Sequence, residues 1–410
     1  TTEIYTLSLH DALPIFHRPR NAMRFARARV DSRGRIIPMQ MPASAVGVKP
    51  PGPAPKERPP PACFALGGNP CCRPMADPTP LAPQQVSFFH EEGYLIVPDV
   101  FDPAALEPLR REIHGEINRK ARELHAAGRL PHLHAEAGFD RQLSLIYRDS
   151  KEAGDAIVRH LMGVRGGGYY SPEMFGLLVN RQLLAKISSL LGSEEVIASA
   201  YRIRPKLPHF GRGVVPWHQD SGYLAEHCDR HLIITCWVPF VDATRENGCM
   251  EILPRTHRDR VYQHHAGGNA DFLVIEDRDL PVDPRGAITA ACPRGGAVFM
   301  TNRTPHCSTP NVSDHIRWSV DLRYKAADVP NNVGLEPAHV DAAGRADPDF
   351  YEKVNVACYP PDADIVVQSR KHPERVIDYQ EYVRLREIYD HTEPRFAEVR
   401  AWPALSAAIK

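Results

Sequence analysis

The chain has 410 residues, enough to bury a sizeable core in one large domain or two average ones. Its 50 Lys and Arg balance 50 Asp and Glu, so no net charge argues for nucleic acid or an anionic membrane surface as a partner. No run of about 18 apolar residues could span a bilayer, and nine cysteines without a CxxC pair argue against a zinc ribbon or a disulfide scaffold. A reducing, cytoplasmic setting is the expectation.

The balance hides a basic leader. Residues 1 to 74 hold eleven Lys and Arg against four Asp and Glu, and residues 1 to 83 carry sixteen of the 39 prolines. With no sustained helical or strand period, residues 1 to 83 are expected to be a disordered Pro/Arg-rich leader. An organelle-targeting peptide between Arg18 and Arg35 is a weaker reading. The opening TTEIYTLSLHDALPI resembles translated sequencing-adapter sequence, which makes Met75 a candidate natural start.

Order is expected from Gln84, where QQVSFFHEEG reads as a short helix leading into the strand-like GYLIVPDVF. Asp102 is a candidate N-cap with Pro103 at the first helical position, and Leu106, Leu109, Ile113, Ile117 and Leu124 follow at helical spacing. GVRGGGYY, from Gly163 to Tyr170, reads as a mobile loop and a candidate lid. Ser171 to Leu191 reads as a second helix stopped by Gly192.

From Glu195 the period becomes two. Short β-rich runs at Val196 to Arg204, Leu232 to Val241, Met250 to Leu253, Ala297 to Met300 and Ile316 to Tyr324 alternate with turn residues, which predicts a mainly β sandwich or jelly roll with flanking helices. A last helix is expected from about Asp378, with Glu381 in capping-box position. The domain reading is thus a leader (1–83), a jelly-roll domain with N-terminal helices (84–372) and a C-terminal helical extension (373–410).

A His-x-Asp triplet on a strand puts both side chains on one face about 7 Å apart. Two histidines and a carboxylate on one side of a metal leave the opposite positions open for substrate and dioxygen. The triplet by itself discriminates poorly, because it occurs four times, at His218/Asp220, His227/Asp229, His257/Asp259 and His339/Asp341. Context singles out the first. His218 sits in PWHQDSGYL, and GGAVFMTNRTPHCSTP then brings His306 just past an apolar strand. In the next strand Ile316, Trp318, Val320 and Leu322 alternate with Arg317, Ser319, Asp321 and Arg323, so Arg317 lies on the polar face. A guanidinium there would suit the far carboxylate of a dicarboxylate co-substrate. Arg323 shares that face, roughly 20 Å further along an extended strand. Two sequons, at Asn302 and Asn311, flank His306, where a glycan would crowd the site.

The segment from about residue 84 to 325 resembles the phytanoyl-CoA dioxygenase family in WHQDSGY, in ITCWVPFVDATRENGCMEILPRTH and in PHCSTPNVSDHIRWSVDLRY. The resemblance implies a double-stranded β-helix of cupin-like type. It implies iron(II) on His218, Asp220 and His306, with 2-oxoglutarate as co-substrate and its far carboxylate on Arg317, eleven residues after the distal histidine. Ser308 is implied as an assisting group and Trp237 as the aromatic bordering the co-substrate. Lys206 resembles the basic residue before the first metal block, with Arg204 a rival. Asn247-Gly248 resembles a tight turn, and Cys307 should face away from the site by strand alternation.

The activity implied is hydroxylation of a small organic substrate, with 2-oxoglutarate and dioxygen converted to succinate and carbon dioxide. Three alternatives stay open. A halogenase on the same fold would lack the carboxylate ligand, and Asp220 is present. A cupin-like metalloenzyme of non-oxidative type would not need Arg317. A non-catalytic jelly-roll binding protein would not need an open metal position.

Overall fold

The computed structural model describes residues 77–162, 169–210, 213–224, 226–266, 272–329, 365–391 and 402–405. The leader before Asp77, residues 163–168 of the expected lid and the His339/Asp341 triplet lie outside them.

Helix α1 (Pro83–Glu92) starts where Gln85 Oε1 accepts the Ala82 N–H at 3.0 Å and stops at Gly93, whose φ of 85° suits glycine. Strand β1 (Tyr94–Val97) follows. Asp102 caps as expected, its Oδ1 accepting the Ala104 N–H at 2.9 Å, but the first turn (Pro103–Leu106) is a 3₁₀ helix. Helix α2 (Glu107–Ala126) then buries Leu109, Ile113, Ile117, Ala121 and Leu124.

Helices α3 (Gln142–Asp149) and α4 (Lys151–Met162), broken at Ser150, were not legible as separate elements because each carries only three or four buried positions. The helix expected over Ser171 to Leu191 is two, α5 (Pro172–Leu178) and α6 (Arg181–Leu191). Asn180 is the reason: its Oδ1 accepts from Gln182 and Leu183 N–H, so it caps a new helix instead of continuing the old one.

The remaining strands are β2 (Val196–Lys206), β3 (Ile233–Pro239), β4 (Met250–Ile252), β5 (Ile288–Ala290), β6 (Ala297–Thr301), β7 (His306–Ser308), β8 (Arg317–Ala326) and β9 (Ile365–Gln368). Among the described residues they form an antiparallel six-stranded sheet, β1-β6-β3-β8-β2-β9, and a three-stranded sheet, β5-β4-β7. The result is the expected jelly roll with flanking helices, though not a closed barrel.

Register decides which side chains meet. The pairs Lys206↔Arg317, Arg204↔Ser319 and Arg202↔Asp321 put three basic residues of β2 beside the polar face of β8. Thr235↔Arg323 and Trp237↔Asp321 add β3 to that face. The opposite face, with Ile203, Ile234, Val320 and Leu322, belongs to the large core that contains the buried residues of the helices. Two hydrogen bonds pin β8 to that layer, Trp318 Nε1 to Phe139 O at 3.1 Å and the Tyr324 hydroxyl to Leu178 O at 3.1 Å. A smaller core of Trp237, Met250, Ile252, Val298 and Met300 lies on the other side.

Helix α7 (Tyr379–His391) begins at the expected cap, Asp378 Oδ1 accepting the Glu381 N–H at 2.9 Å. Its Tyr382 packs on Phe175 of α5 with ring centroids 5.0 Å apart. No described helix is long and apolar enough to cross a membrane.

Candidate metal centre and co-substrate pocket

His218 and His306 face each other across an isolated antiparallel bridge in which each backbone N–H bonds the other's carbonyl, at 3.0 and 2.9 Å. The shared register sets the two imidazoles side by side, ring centroids 4.2 Å apart. Each ring is oriented by its own chain. Nδ1 of His218 donates to Pro216 O and Nδ1 of His306 to Thr304 O, both at 2.9 Å. With the proton committed to Nδ1, the lone pair of each Nε2 is left to bind a cation.

Asp220 completes the group, its Oδ1 3.8 Å from His218 Nε2. The strand geometry expected for His-x-Asp is not what places it: only His218 is in a bridge, and Asp220 opens a 3₁₀ turn (Asp220–Tyr223). The donor atoms of His218, Asp220 and His306 lie within 4.8 Å of one another, and all three residues are buried. Burial and the neighbouring His306 hold His218 well below the usual imidazole range. Burial pushes the Asp220 carboxyl up, but the Arg323 guanidinium, helped by the hydrogen bond from Thr235, outweighs it and keeps the carboxylate ionised.

Two other groups of His and carboxylates occur among the described residues. In one, His132 Nδ1 and His134 Nε2 both bond Asp149. In the other, His265 Nε2 bonds Asp279 at 2.8 Å and Glu276 is tied to Arg278 at 2.7 Å. His257, from another of the His-x-Asp triplets, is packed under Gly93, with Nε2 3.2 Å from His90 O.

The co-substrate candidates also converge. Lys206 and Arg317 are paired in register, and Lys206 Nζ donates to Ser308 Oγ at 2.6 Å. Arg317 is fixed by its Nε to Gly248 O at 3.3 Å, by Ser319 Oγ, and by the Trp237 ring 5.2 Å from its Cζ. Burial and Arg204 push Arg317 down to about 10, so it stays charged at neutral pH. Gly248 has φ 86°, and a Cβ there would lie 2.7 Å from the Lys206 side chain, so the Asn247-Gly248 turn needs glycine for close approach as well as conformation. Cys307 points away, toward Glu251. Arg204, the rival to Lys206, is committed to Asp321 at 2.8 Å.

Three residues of the site were not assigned roles from sequence. Thr235 donates to Asp220 Oδ2. Gln219, fully buried, donates to Arg260 O and Arg303 O and accepts from Tyr262 N–H, which staples the segment between His218 and Asp220. Arg323 bridges Asp220 Oδ1 at 2.9 Å and Asp321 Oδ2 at 3.0 Å. Its distance along β8 suggested a residue remote from the metal. The 3₁₀ turn instead carries Asp220 to the Arg323 end of the strand. Both sequon asparagines are buried in hydrogen bonds, Asn302 to Ser221 and Asn311 to Lys206 O and His315 O.

Removing Arg323 would therefore leave two buried carboxylates short of a partner. Arg323→Ala is expected to cost about 3 to 5 kcal/mol of stability and to weaken metal retention, read as the denaturation midpoint and the iron content after desalting. An unchanged midpoint would show that the bridge carries no weight.

A jelly roll with two imidazoles and one carboxylate at a buried point has the architecture of the non-haem iron oxygenases. The phytanoyl-CoA dioxygenase profile matches residues 89–319, more than half of the chain, and the protein belongs to that family of 2-oxoglutarate-dependent dioxygenases, with iron and 2-oxoglutarate as cofactors. The chain is 21% identical over 260 residues to a phytanoyl-CoA dioxygenase of Arabidopsis thaliana, covering 60% of this chain and 90% of that one. It is 24% identical over 269 residues to phytanoyl-CoA dioxygenase domain-containing protein 1 of Danio rerio, covering 58% and 87%. Among solved structures, EvdO2 from Micromonospora carbonacea var. aurantiaca complexed with 2-oxoglutarate is 22% identical, covers 63% of this chain and 98% of its own, and superposes with a TM-score of 0.39.

Proposed function

We propose that His218 and His306 through Nε2, and Asp220 through its carboxylate, hold iron(II), that Lys206, Ser308 and Arg317 anchor the far carboxylate of 2-oxoglutarate beside Trp237, and that the enzyme hydroxylates a small organic substrate. The observation that carries the reading is the matched pair of Nδ1–carbonyl bonds, which turns two Nε2 lone pairs toward one carboxylate in a buried pocket. The donor set fits iron(II): neutral imidazoles and a carboxylate suit a borderline divalent ion, and three ligands leave positions open. When bound, the iron supplies the oxidative chemistry that couples decarboxylation of 2-oxoglutarate to attack on a substrate C–H bond.

The polypeptide orients and desolvates. Thr235 and Arg323 hold the two oxygens of Asp220. The His218–His306 bridge fixes the spacing of the rings, and the Arg317 guanidinium is held in place before any co-substrate arrives by its bonds to Gly248 O and Ser319. Preorganisation of this kind reduces the entropic cost of binding. Succinate formation from 2-oxoglutarate, dependent on added iron(II) and stimulated by a member of a substrate panel, is the test. Absence of both iron binding and succinate would overturn the reading.

Lys206 gives the pocket a pH response. Burial and the adjacent Arg317 bring its ammonium down to about 7. Bound dicarboxylate favours the charged form, so binding should take up a proton above neutrality. The affinity for 2-oxoglutarate should then weaken roughly fivefold from pH 7 to pH 8. Lys206→Met should bind weakly at both pH values with no such slope, as measured by anaerobic titration of the iron complex. A pH-independent wild type would remove Lys206 from the pocket.

A further inference from the structure

The site-lining face of the large sheet carries more positive charge than iron and 2-oxoglutarate account for. Arg202, Arg204, Lys206, Arg317 and Arg323 share it with two carboxylates, Asp220 and Asp321. A divalent cation and a dianionic co-substrate cancel one another, which leaves that excess in place. Four of the five basic groups are committed: Arg204 to Asp321, Arg323 to Asp321 and Asp220, Lys206 to Ser308, and Arg317 to Ser319 and Gly248 O.

Arg202 is the exception. It is partly buried and sits directly opposite Asp321, yet among the described residues its guanidinium makes no hydrogen bond or ion pair, since Arg204 and Arg323 already occupy that carboxylate. Burial and the like charges of Arg204 and Arg323 oppose its protonated form, and the Asp321 carboxylate that favours it is shared with those two arginines. A solvent-facing arginine needs no partner, but a partly buried one among like charges is costly unless something negative arrives.

Its position says what that something is not. Arg202 lies four residues from Lys206 along β2, about 13 Å, too far to share the co-substrate's distal carboxylate with Lys206 and Arg317. It is instead near the metal end of the face. Tyr223, which stands edge-on to His218 with ring centroids 6.0 Å apart, is within electrostatic reach of both Arg202 and Arg204.

We infer that Arg202 receives a carboxylate or phosphate group of the substrate, so that the enzyme acts on an organic anion. The inference rests on the proposed iron and 2-oxoglutarate site, whose neighbourhood defines where the substrate lies. A planar guanidinium with an unused fork is suited to either oxyanion. The contact would orient the substrate's hydrocarbon part toward the iron while neutralising part of the positive excess.

The test compares wild type with Arg202→Gln, in iron(II) and 2-oxoglutarate without dioxygen, using hexanoate, hexyl phosphate and methyl hexanoate as probes. Without a probe, Arg202→Gln should melt higher than wild type, by on the order of 2 °C, because a like charge has been removed. An arginine with a structural partner would give the opposite sign. Hexanoate or hexyl phosphate should raise the wild-type melting temperature, and which of them does so identifies the oxyanion. The methyl ester should not, and the variant should bind the effective anion about tenfold more weakly. The affinity for 2-oxoglutarate should be the same in both proteins.

A lower melting temperature in the variant, equal stabilisation by the ester, or no anion-dependent difference between the two proteins would overturn the inference. A loss of 2-oxoglutarate affinity in Arg202→Gln would also overturn it, by assigning the residue to the co-substrate. Failure of wild type to bind iron or 2-oxoglutarate at all would instead strike the proposed function, and is read separately from the same titrations.

Discussion

His218→Ala, Asp220→Ala and His306→Ala are each expected to abolish turnover and to lower iron retention, because each removes one of the three proposed donors that meet at a buried point. The two histidine variants differ from Asp220→Ala in their secondary effects. Removing Asp220 also strands the Arg323 guanidinium on one side of its bridge, so that variant should lose stability as well as metal. An Asp220→Asn variant keeps the size and hydrogen-bonding capacity but not the charge, and should retain more fold than activity.

The comparison that gives these losses meaning is with histidines outside the site. His257→Ala should lower the melting temperature, since the ring is buried under Gly93, while turnover per folded molecule persists. His227→Ala, in the competing His-x-Asp triplet, should leave turnover intact. Iron content, melting temperature and succinate formation on the same preparations decide the matter. If folded His257→Ala were as inactive as His218→Ala, the choice of triplet would be wrong.

Arg317→Ala should chiefly raise the 2-oxoglutarate requirement rather than remove iron. A charge-assisted hydrogen bond is worth roughly 1.5 to 3 kcal/mol, and about 1.4 kcal/mol is a factor of ten, so the apparent affinity should fall roughly ten- to a hundredfold. Arg317→Lys should recover only part of this. A lysine keeps the charge but loses the fork, and it cannot at once reach the carboxylate and reproduce the contacts with Gly248 O, Ser319 and Trp237.

Arg323→Ala does not serve as the matched comparison its strand position suggested, because Arg323 holds Asp220. Arg384→Ala is suitable: Arg384 is exposed on α7 and, among the described residues, pairs only with Glu381. The measurement is an anaerobic titration of 2-oxoglutarate at saturating iron(II). Unchanged affinity in Arg317→Ala would move the anchor elsewhere, with Lys206, its register partner, the next residue to examine.

The sequence by itself determined the elements whose physics is local. Alternation in Ile316 to Tyr324 reports a strand with one apolar face, and it placed Arg317, Ser319, Asp321 and Arg323 together because side-chain direction in a strand repeats every two residues. Ordered context singled out His218 and His306, and the family resemblance added Lys206 and Ser308; in the structure the two histidines lie with Asp220, and Lys206 bonds Ser308 and pairs in register with Arg317.

Tertiary structure decided what depends on separate segments meeting. Strands β5 and β9, three and four residues long, carried no readable alternation, and they exist because a partner strand satisfies their backbone groups. The 171–191 region split because a side-chain cap at Asn180 competes with the backbone ladder, although apolar spacing continues across it. Asp220 reaches Arg323 only because a 3₁₀ turn, and not a strand, follows His218. The solitary position of Arg202 could not be read from RIRPK at all, since it depends on Asp321 being occupied by two other arginines from β2 and β8. Local pattern fixes where a side chain points, and only the assembled sheet fixes what it finds there.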